Sequence, residues 1–109
     1  MKLAIISDIH ANLDALQAVW EDLEAQNPDR VYCLGDLVGY GAYPNETIQF
    51  FREREIPASM GNYDEGVGFN MHDCGCVYKD PLQDKLGKQS LHWTQEHASI
   101  PSLHILSKI

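Results

Sequence analysis

The sequence predicts an α/β fold in which parallel strands alternate with helices in βαβ units. Two short apolar segments, residues 3–7 and 30–34, are apolar on both faces and indicate buried strands of a parallel sheet. Between them, from Asn12 onwards, apolar residues recur with helical spacing until Asn27-Pro28 ends the pattern. A strand, a helix and a second strand in this order indicate a βαβ crossover.

The remaining elements are predicted from periodicity in the same way. We expect a second helix, a third strand, a long loop, a third helix and the start of a last strand over residues 46–54, 56–60, 61–84, 87–97 and 102–109, in that order. The last strand is expected because apolar residues fall at odd positions from Leu103. An α/β sheet usually needs more than 109 residues to cover both of its faces, so we expect a single truncated domain over residues 1–109.

Composition and charge exclude several classes of function. Sixteen acidic and eight basic residues give a formal net charge of −8, which disfavours nonspecific binding to nucleic-acid phosphates and to anionic membranes. No apolar stretch approaches the roughly 20 residues that a membrane-spanning helix requires. The three cysteines, Cys33, Cys74 and Cys76, are an odd number without a secretory context, so we expect a reducing, cytoplasmic location.

Polar residues follow each of the three predicted strands. Asp8-Ile9-His10 follows the first strand, Gly35-Asp36 the second and Gly61-Asn62-Tyr63-Asp64 the third. In parallel sheets ligands gather at the carboxyl ends of the strands. Residues i and i+2 at a strand end can converge on one cation, so Asp8 and His10 suit a shared metal ion, and Asp36 is placed to bridge it to a second. Two cations about 3.5–4 Å apart can orient a phosphate and stabilise both the attacking and the leaving oxygen.

These motifs resemble the fingerprint of the calcineurin-like metallophosphoesterases, which is D-x-H, then G-D, then G-N-H-[DE]. The resemblance spans essentially the whole chain, and Gly39-Tyr40-Gly41 also looks typical of bacterial and archaeal members. It implies the N-terminal half of a layered α-β-β-α sandwich. For the site it implies that Asp8 and His10 bind the first metal, that Asp36 bridges both metals and that Asn62 binds the second. Mixed nitrogen and oxygen ligands suit two divalent ions chosen from Mn, Fe, Ni and Zn.

Two departures from the family pattern affect the assignment of roles. Tyr63 stands where much of the family has a His that protonates the leaving group, so we keep Tyr63 as a candidate proton donor. Asp64 is the second candidate catalytic residue, either by orienting a neighbouring group or simply by capping the loop after the strand. The family supplies further His ligands from later motifs, and His92, His97 and His104 are not in such a context. We expect His92 and His97 to be surface residues.

Two functions follow from these observations. The first is hydrolysis of a small phosphoester, a diester rather than a monoester, by a hydroxide held by two metal ions, with the site incomplete in this chain. The second is a non-catalytic fragment or scaffold that keeps the phosphoesterase fold and binds a protein partner. A structural zinc site from His72, Cys74 and Cys76 is a weaker alternative to a loop over the active-site mouth, because such zinc sites favour wider cysteine spacing and four ligands.

Overall fold

The computed structural model describes residues 1–75 and 77–109, and it contains a small parallel sheet and five helices. The elements in chain order are β1 (Leu3–Ile6), α1 (Leu13–Gln26), β2 (Arg30–Cys33), α2 (Pro44–Glu53), α3 (Asn62–Gly68), α4 (Pro81–His97) and α5 (Ile100–Leu106). β1 and β2 pair in parallel, with Leu3 opposite Arg30 and Ile6 opposite Cys33. The predicted α/β class and its βαβ unit are therefore confirmed. Within the described ranges, no helix is both long and apolar enough to cross a membrane.

The third strand predicted over residues 56–60 is reduced to an isolated bridge beside β2. Cys33 pairs in parallel with Ala58, the Cys33 N–H donates to the Pro57 carbonyl at 2.9 Å, and the Ser59 N–H donates to the Cys33 carbonyl at 2.9 Å. Pro57 has no N–H group, so it cannot donate to a regular ladder. The segment nevertheless lies next to β2, on the side where the third strand was expected.

Two predictions for the second half of the chain are wrong. The predicted loop over residues 61–84 contains α3 and the start of α4, and the predicted strand over residues 102–109 lies mostly in α5. At the start of α5 the Ser99 hydroxyl accepts the Ser102 N–H at 3.2 Å, and Pro101 occupies the first turn. Both are signals of a helix N-terminus, and they outweigh a short apolar alternation. The predicted helix over residues 87–97 is found within α4.

The hydrophobic core draws buried side chains from β2 and from every helix. Its members include Leu16, Cys33, Ile48, Phe51, Tyr63, Val67, Leu91 and Leu106. The strands were expected to be buried on both faces, but one face of the sheet is exposed, with Leu3, Ile5 and Leu34 all more than half accessible. Nothing in the described part of the chain covers these three side chains, so they form an exposed apolar surface.

Thr47 in α2 provides a test of the core packing. Its side chain is fully buried, and its hydroxyl has no hydrogen-bond partner among the described groups. An unsatisfied buried hydroxyl costs roughly 1–3 kcal/mol. Thr47→Val keeps the shape of the side chain and removes the polar group, so we expect the free energy of unfolding in urea to rise by about 1 kcal/mol.

Thr94→Val in α4 is the matched control for that substitution. Thr94 is equally buried, but its hydroxyl donates to the Ser90 carbonyl at 2.8 Å. The same change should therefore lower the free energy of unfolding by about 1 kcal/mol. A loss of stability in both variants would show that the Thr47 hydroxyl is satisfied in solution.

Candidate metal centre

The loops that follow β1 and β2 bring Asp8, His10 and Asp36 together. Their ligand atoms all lie within 4.8 Å of one another, and His10 Nε2 is 3.5 Å from Asp8 Oδ1. The Asp8 side chain is exposed, whereas His10 and Asp36 are partly buried. In the part of the chain that the structure describes, this is the one such group of three or more His, Cys, Asp or Glu side chains. Three of the four predicted metal ligands therefore converge, and an imidazole with two carboxylates suits a first-row divalent ion.

Backbone hydrogen bonds hold the two ligand-bearing loops side by side. The Asp8 N–H donates to the Gly35 carbonyl at 2.9 Å, and the His10 N–H donates to the Asp36 carbonyl at 2.9 Å. These bonds extend the pairing of β1 with β2 beyond the last residues of the strands. Because each bond involves a ligand residue or its neighbour, the distance between the two loops is fixed by the backbone.

The backbone itself is strained at all three candidate ligand positions. Asp8, His10 and Asp36 have φ angles of 56°, 51° and 56°, in the left-handed region that favours glycine. Residues held there cost of order 1–3 kcal/mol each, and they cluster at functional sites. Glycine would relieve the strain at each position but would supply no ligand atom. We interpret the presence of side chains here as a chemical requirement of the site.

Outer hydrogen bonds orient the side chains of His10 and Asp8. His10 Nδ1 lies 2.9 Å from the Val38 carbonyl, so Nδ1 carries the proton and donates it, which leaves Nε2 available to a metal ion. The Ser7 hydroxyl donates to Asp8 Oδ2 at 2.5 Å. A contact of this kind fixes the orientation of a metal ligand and is typical of metal sites.

Asp64 ties the loop that carries Asp36 to the start of α3. Its carboxylate is fully buried and accepts three backbone N–H groups, from Asp36 at 2.8 Å, from Leu37 at 2.9 Å and from Gly61 at 3.0 Å. Burial raises the pKa of Asp64, and the three N–H donors act in the opposite direction. The Asp64 side chain is therefore hydrogen-bonded both to the start of α3 and to the backbone of the Asp36 loop. A catalytic role for Asp64 stays a prediction.

Gly61 allows α3 to approach Asp36 closely. A Cβ atom on Gly61 would lie 2.2 Å from Asp36 Oδ1, and one on Gly35 would lie 2.7 Å from the Gly61 nitrogen. Neither space can hold a methyl group, which explains the glycine before Asp36 and the glycine before Asn62. Asn62 is exposed and begins α3 directly after this contact. Its role as a ligand of a second metal stays a prediction.

Tyr63 lies in an aromatic cluster next to the ligands. Its N–H donates to Asp36 Oδ1 at 3.0 Å, and its ring meets the His10 ring edge-on at 5.7 Å. The side chain is buried, and the hydroxyl lies 3.3 Å from both the Gly87 carbonyl and the Tyr78 hydroxyl. Desolvation and the neighbouring hydroxyls raise the pKa of Tyr63 well above its usual value. The proton-donor role of Tyr63 stays a prediction, and this environment disfavours it.

The other histidines lie away from this group. His92 and His97 are exposed, as predicted, and the His97 ring stacks on Trp93 at 4.0 Å. His72 is also exposed, with its ring 6.0 Å from that of His92. The alternative zinc site of His72, Cys74 and Cys76 depends on Cys76, which lies outside the described residues.

Two tyrosines for which the sequence predicts no role lie beside the site. Tyr40 and Tyr43, together with Asp8, His10 and Asn12, line a cavity of about 420 Å³. The signal was present in the sequence, because Tyr40 stands between two glycines in the loop after Asp36. Loop residues next to a ligand are frequent contacts for substrate.

Sequence comparison shows related proteins along the whole chain. Residues 1–106 match the family described as calcineurin-like phosphoesterase. The chain is 38% identical over 109 residues to an uncharacterized protein of Methanocaldococcus jannaschii, covering 98% of this chain and 41% of that protein. Over 67 residues it is 36% identical to a symmetrical bis(5'-nucleosyl)-tetraphosphatase of Psychromonas ingrahamii, covering 59% of this chain and 24% of that protein.

Solved structures show the same relationship. A metallophosphoesterase from Sphaerobacter thermophilus superposes with a TM-score of 0.73 at 32% identity, covering 100% of this chain and 41% of the other. A hypothetical protein from Pyrococcus horikoshii gives a TM-score of 0.75 at 26% identity, covering 99% of this chain and 47% of the other. The chain spans about two fifths of the length of the first of these relatives. It has the fold of their N-terminal part, and it belongs to the calcineurin-like phosphoesterase family.

Proposed function

We propose that the protein hydrolyses a small phosphoester with two divalent metal ions, and that Asp8, His10, Asp36 and Asn62 hold these ions. The observation that carries the proposal is the convergence of Asp8, His10 and Asp36 within 4.8 Å. When bound, the ions supply Lewis-acid polarisation of the phosphoryl oxygens. Membership of the calcineurin-like phosphoesterases supports the same reaction class.

The residues of the chain prepare the site in three ways. His10 donates its Nδ1–H to the Val38 carbonyl, so its Nε2 is offered to a metal ion in a fixed orientation. Asp8 and Asp36 supply two carboxylates, and Asp36 Oδ1 accepts the Tyr63 N–H of α3, which helps to orient the proposed bridging ligand. Asp64 positions Asp36 through the backbone and does not itself reach the cavity.

The substrate class is proposed from chemistry and from the relatives. A phosphodiester is favoured over a monoester by the family resemblance alone. The Psychromonas ingrahamii relative is named for a bis(5'-nucleosyl) tetraphosphate substrate, which supports a phosphorylated small molecule as the substrate here.

We propose Mn²⁺ as the first ion to test, because it accepts nitrogen and oxygen ligands. We also propose a cytoplasmic location.

A non-catalytic scaffold that binds a protein partner is the second candidate. It is favoured because the described residues supply one group of three charged or imidazole ligands, whereas a two-metal site needs ligands for both ions. The exposed apolar face of the sheet, with Ile5 and Leu34, would suit protein contact. Two ions per chain support the hydrolase, and one ion or none supports the scaffold for this chain.

Asp36→Asn tests the proposed metal role. The substitution keeps the size of the side chain and removes its charge, so we expect Mn²⁺ affinity to fall by roughly tenfold or more. We also expect Mn²⁺-dependent hydrolysis of bis(p-nitrophenyl) phosphate to be lost. Metal content is measured by elemental analysis of protein purified without chelator, and affinity by titration calorimetry.

Asp84→Asn is the control for that test. Asp84 is a partly exposed acid in α4 that pairs with Lys88 at 3.0 Å, and it is not a member of the Asp8, His10 and Asp36 group. Its substitution removes the same charge and should leave metal content and hydrolysis unchanged. Equal metal content and equal hydrolysis in wild type and Asp36→Asn would contradict the proposal.

Gly61→Ala tests the close approach of α3 to Asp36. The added Cβ would lie 2.2 Å from Asp36 Oδ1, so the carboxylate must move, and we expect Mn²⁺ affinity to fall by roughly tenfold. The φ angle of Gly61 is −82°, which alanine adopts freely, so backbone strain does not contribute.

Gly66→Ala in α3 is the matched control for Gly61→Ala. Its new Cβ would lie 3.2 Å from the Leu91 Cδ1 atom, at the end of a flexible side chain, and 3.5 Å and 3.6 Å from Cys74 Cα and Cβ, which are ordinary van der Waals contacts. This variant should bind Mn²⁺ like wild type. Unchanged affinity in Gly61→Ala, with unchanged circular dichroism, would show that the site tolerates a displaced Asp36.

A further inference from the structure

We propose that Tyr40 and Tyr43 form an aromatic subsite that stacks on a planar ring carried by the phosphoester substrate. This inference rests on the proposed function and names its substrate class more closely. Both tyrosines line the cavity of about 420 Å³ that also contains Asp8 and His10. A cavity of this size falls within the range of about 300–1,000 Å³ found for small-molecule sites.

Both tyrosines keep surface available for a ligand. Tyr40 is 52% exposed and Tyr43 is 45% exposed, although aromatic side chains of this size usually contribute much more of their surface to a core. Apart from Ile9, the other residues that line the cavity are small or polar, and none of the described residues that line it is Lys or Arg. The cavity therefore has aromatic surface but no basic side chain, which favours a neutral ring over a second phosphate.

Tyr40 is held in a strained and fixed position. Its φ angle is 63°, a conformation that a bulky side chain rarely adopts. The Tyr40 N–H donates to the Ser90 hydroxyl at 2.7 Å, and the phenol is hydrogen-bonded to the Tyr78 hydroxyl. The ring is thus anchored at both ends before any ligand arrives, and an immobilised ring loses little entropy on binding.

Tyr43 is anchored to the other side of the cavity through its backbone. Its N–H donates to the Ala11 carbonyl at 3.2 Å, one residue after the ligand His10. The carbonyl of His10 in turn accepts the Gly41 N–H at 3.0 Å. The loop that carries both tyrosines is therefore tied directly to the loop that carries two of the proposed metal ligands.

The position of Tyr40 relative to His10 connects ring binding with phosphate binding. The two rings meet edge-on, with centroids 4.9 Å apart and an interplanar angle of 74°. A phosphoester held at Asp8 and His10 would place its organic group beside these tyrosines. An aromatic side chain stacks on the face of a planar ring, and this contact does not depend on which ring it is.

The experiment compares pairs of ligands that carry the same phosphate. Adenosine monophosphate is compared with ribose 5-phosphate, and phenyl phosphate with cyclohexyl phosphate, by titration calorimetry with Mn²⁺ present. We expect the aromatic member of at least one pair to bind roughly tenfold tighter than its partner. A gain in the first pair identifies a nucleobase, and a gain in the second pair identifies an aryl group. Either gain supports the subsite.

Variants of Tyr43 assign the gain to the tyrosines. Tyr43→Leu should reduce the gain to less than roughly threefold, whereas Tyr43→Phe, which keeps the ring, should retain it. Tyr40→Leu should act in the same direction as Tyr43→Leu. Tyr32→Leu is the control, because Tyr32 is a comparably exposed tyrosine on β2, and it should retain the full gain.

The outcomes separate this inference from the proposed function. Equal affinities within both pairs, no detectable binding of any of the four ligands, or an equal loss in Tyr43→Phe and Tyr43→Leu would each overturn the subsite. Failure of Mn²⁺ uptake, measured independently in the absence of these ligands, would instead overturn the metal site. A ring preference in a protein that takes up no Mn²⁺ would leave the subsite standing and remove only the hydrolase assignment.

Discussion

The Asp64 carboxylate is the contact on which the arrangement of the site depends. Three backbone N–H groups converge on it, two from the loop after β2 and one from the start of α3. A buried carboxylate that lost these donors would be very costly, because a charge without partners is poorly solvated in the interior. The interaction therefore fixes the positions of Asp36, Gly61 and the first turn of α3 relative to one another.

Glycines make that arrangement sterically possible. Gly61 packs its Cα against Asp36, and Gly35, with a φ angle of 112°, packs against Gly61. The close approach allows the Tyr63 N–H to reach Asp36 Oδ1. Asp36 thus receives two contacts from α3, since Asp64 accepts its backbone N–H and the Tyr63 N–H donates to its side chain. Such outer support commonly decides how well a metal ligand is oriented.

The sequence allowed the fold class and most of the site to be predicted, because both depend on local patterns. The apolar segments predict β1 and β2, and the D-x-H and G-D motifs at their ends predict that Asp8, His10 and Asp36 lie close together. The predicted third strand is reduced to a single bridge to Cys33. Pro57 has no N–H group to extend the pairing, and hydrophobic periodicity does not take this into account. Periodicity alone does not predict the last helix, because its N-terminus is marked by the Ser99 cap and Pro101 and not by a long apolar pattern. The hydrogen bonds of the Asp64 carboxylate could be identified only in the tertiary structure, because its partners Asp36 and Leu37 lie far away in the sequence.

The strain and the charge of the site indicate why it should depend on cations. Asp8 and Asp36 lie close together in a chain of net charge −8, and both are held at positive φ. Repulsion between two carboxylates and backbone strain both oppose this conformation, while the loop hydrogen bonds and Asp64 maintain it. A divalent ion would replace this repulsion by attraction, because each carboxylate would then face an opposite charge. Since an ion that binds only the folded site also stabilises the fold, metal binding and the order of these loops should be thermodynamically linked.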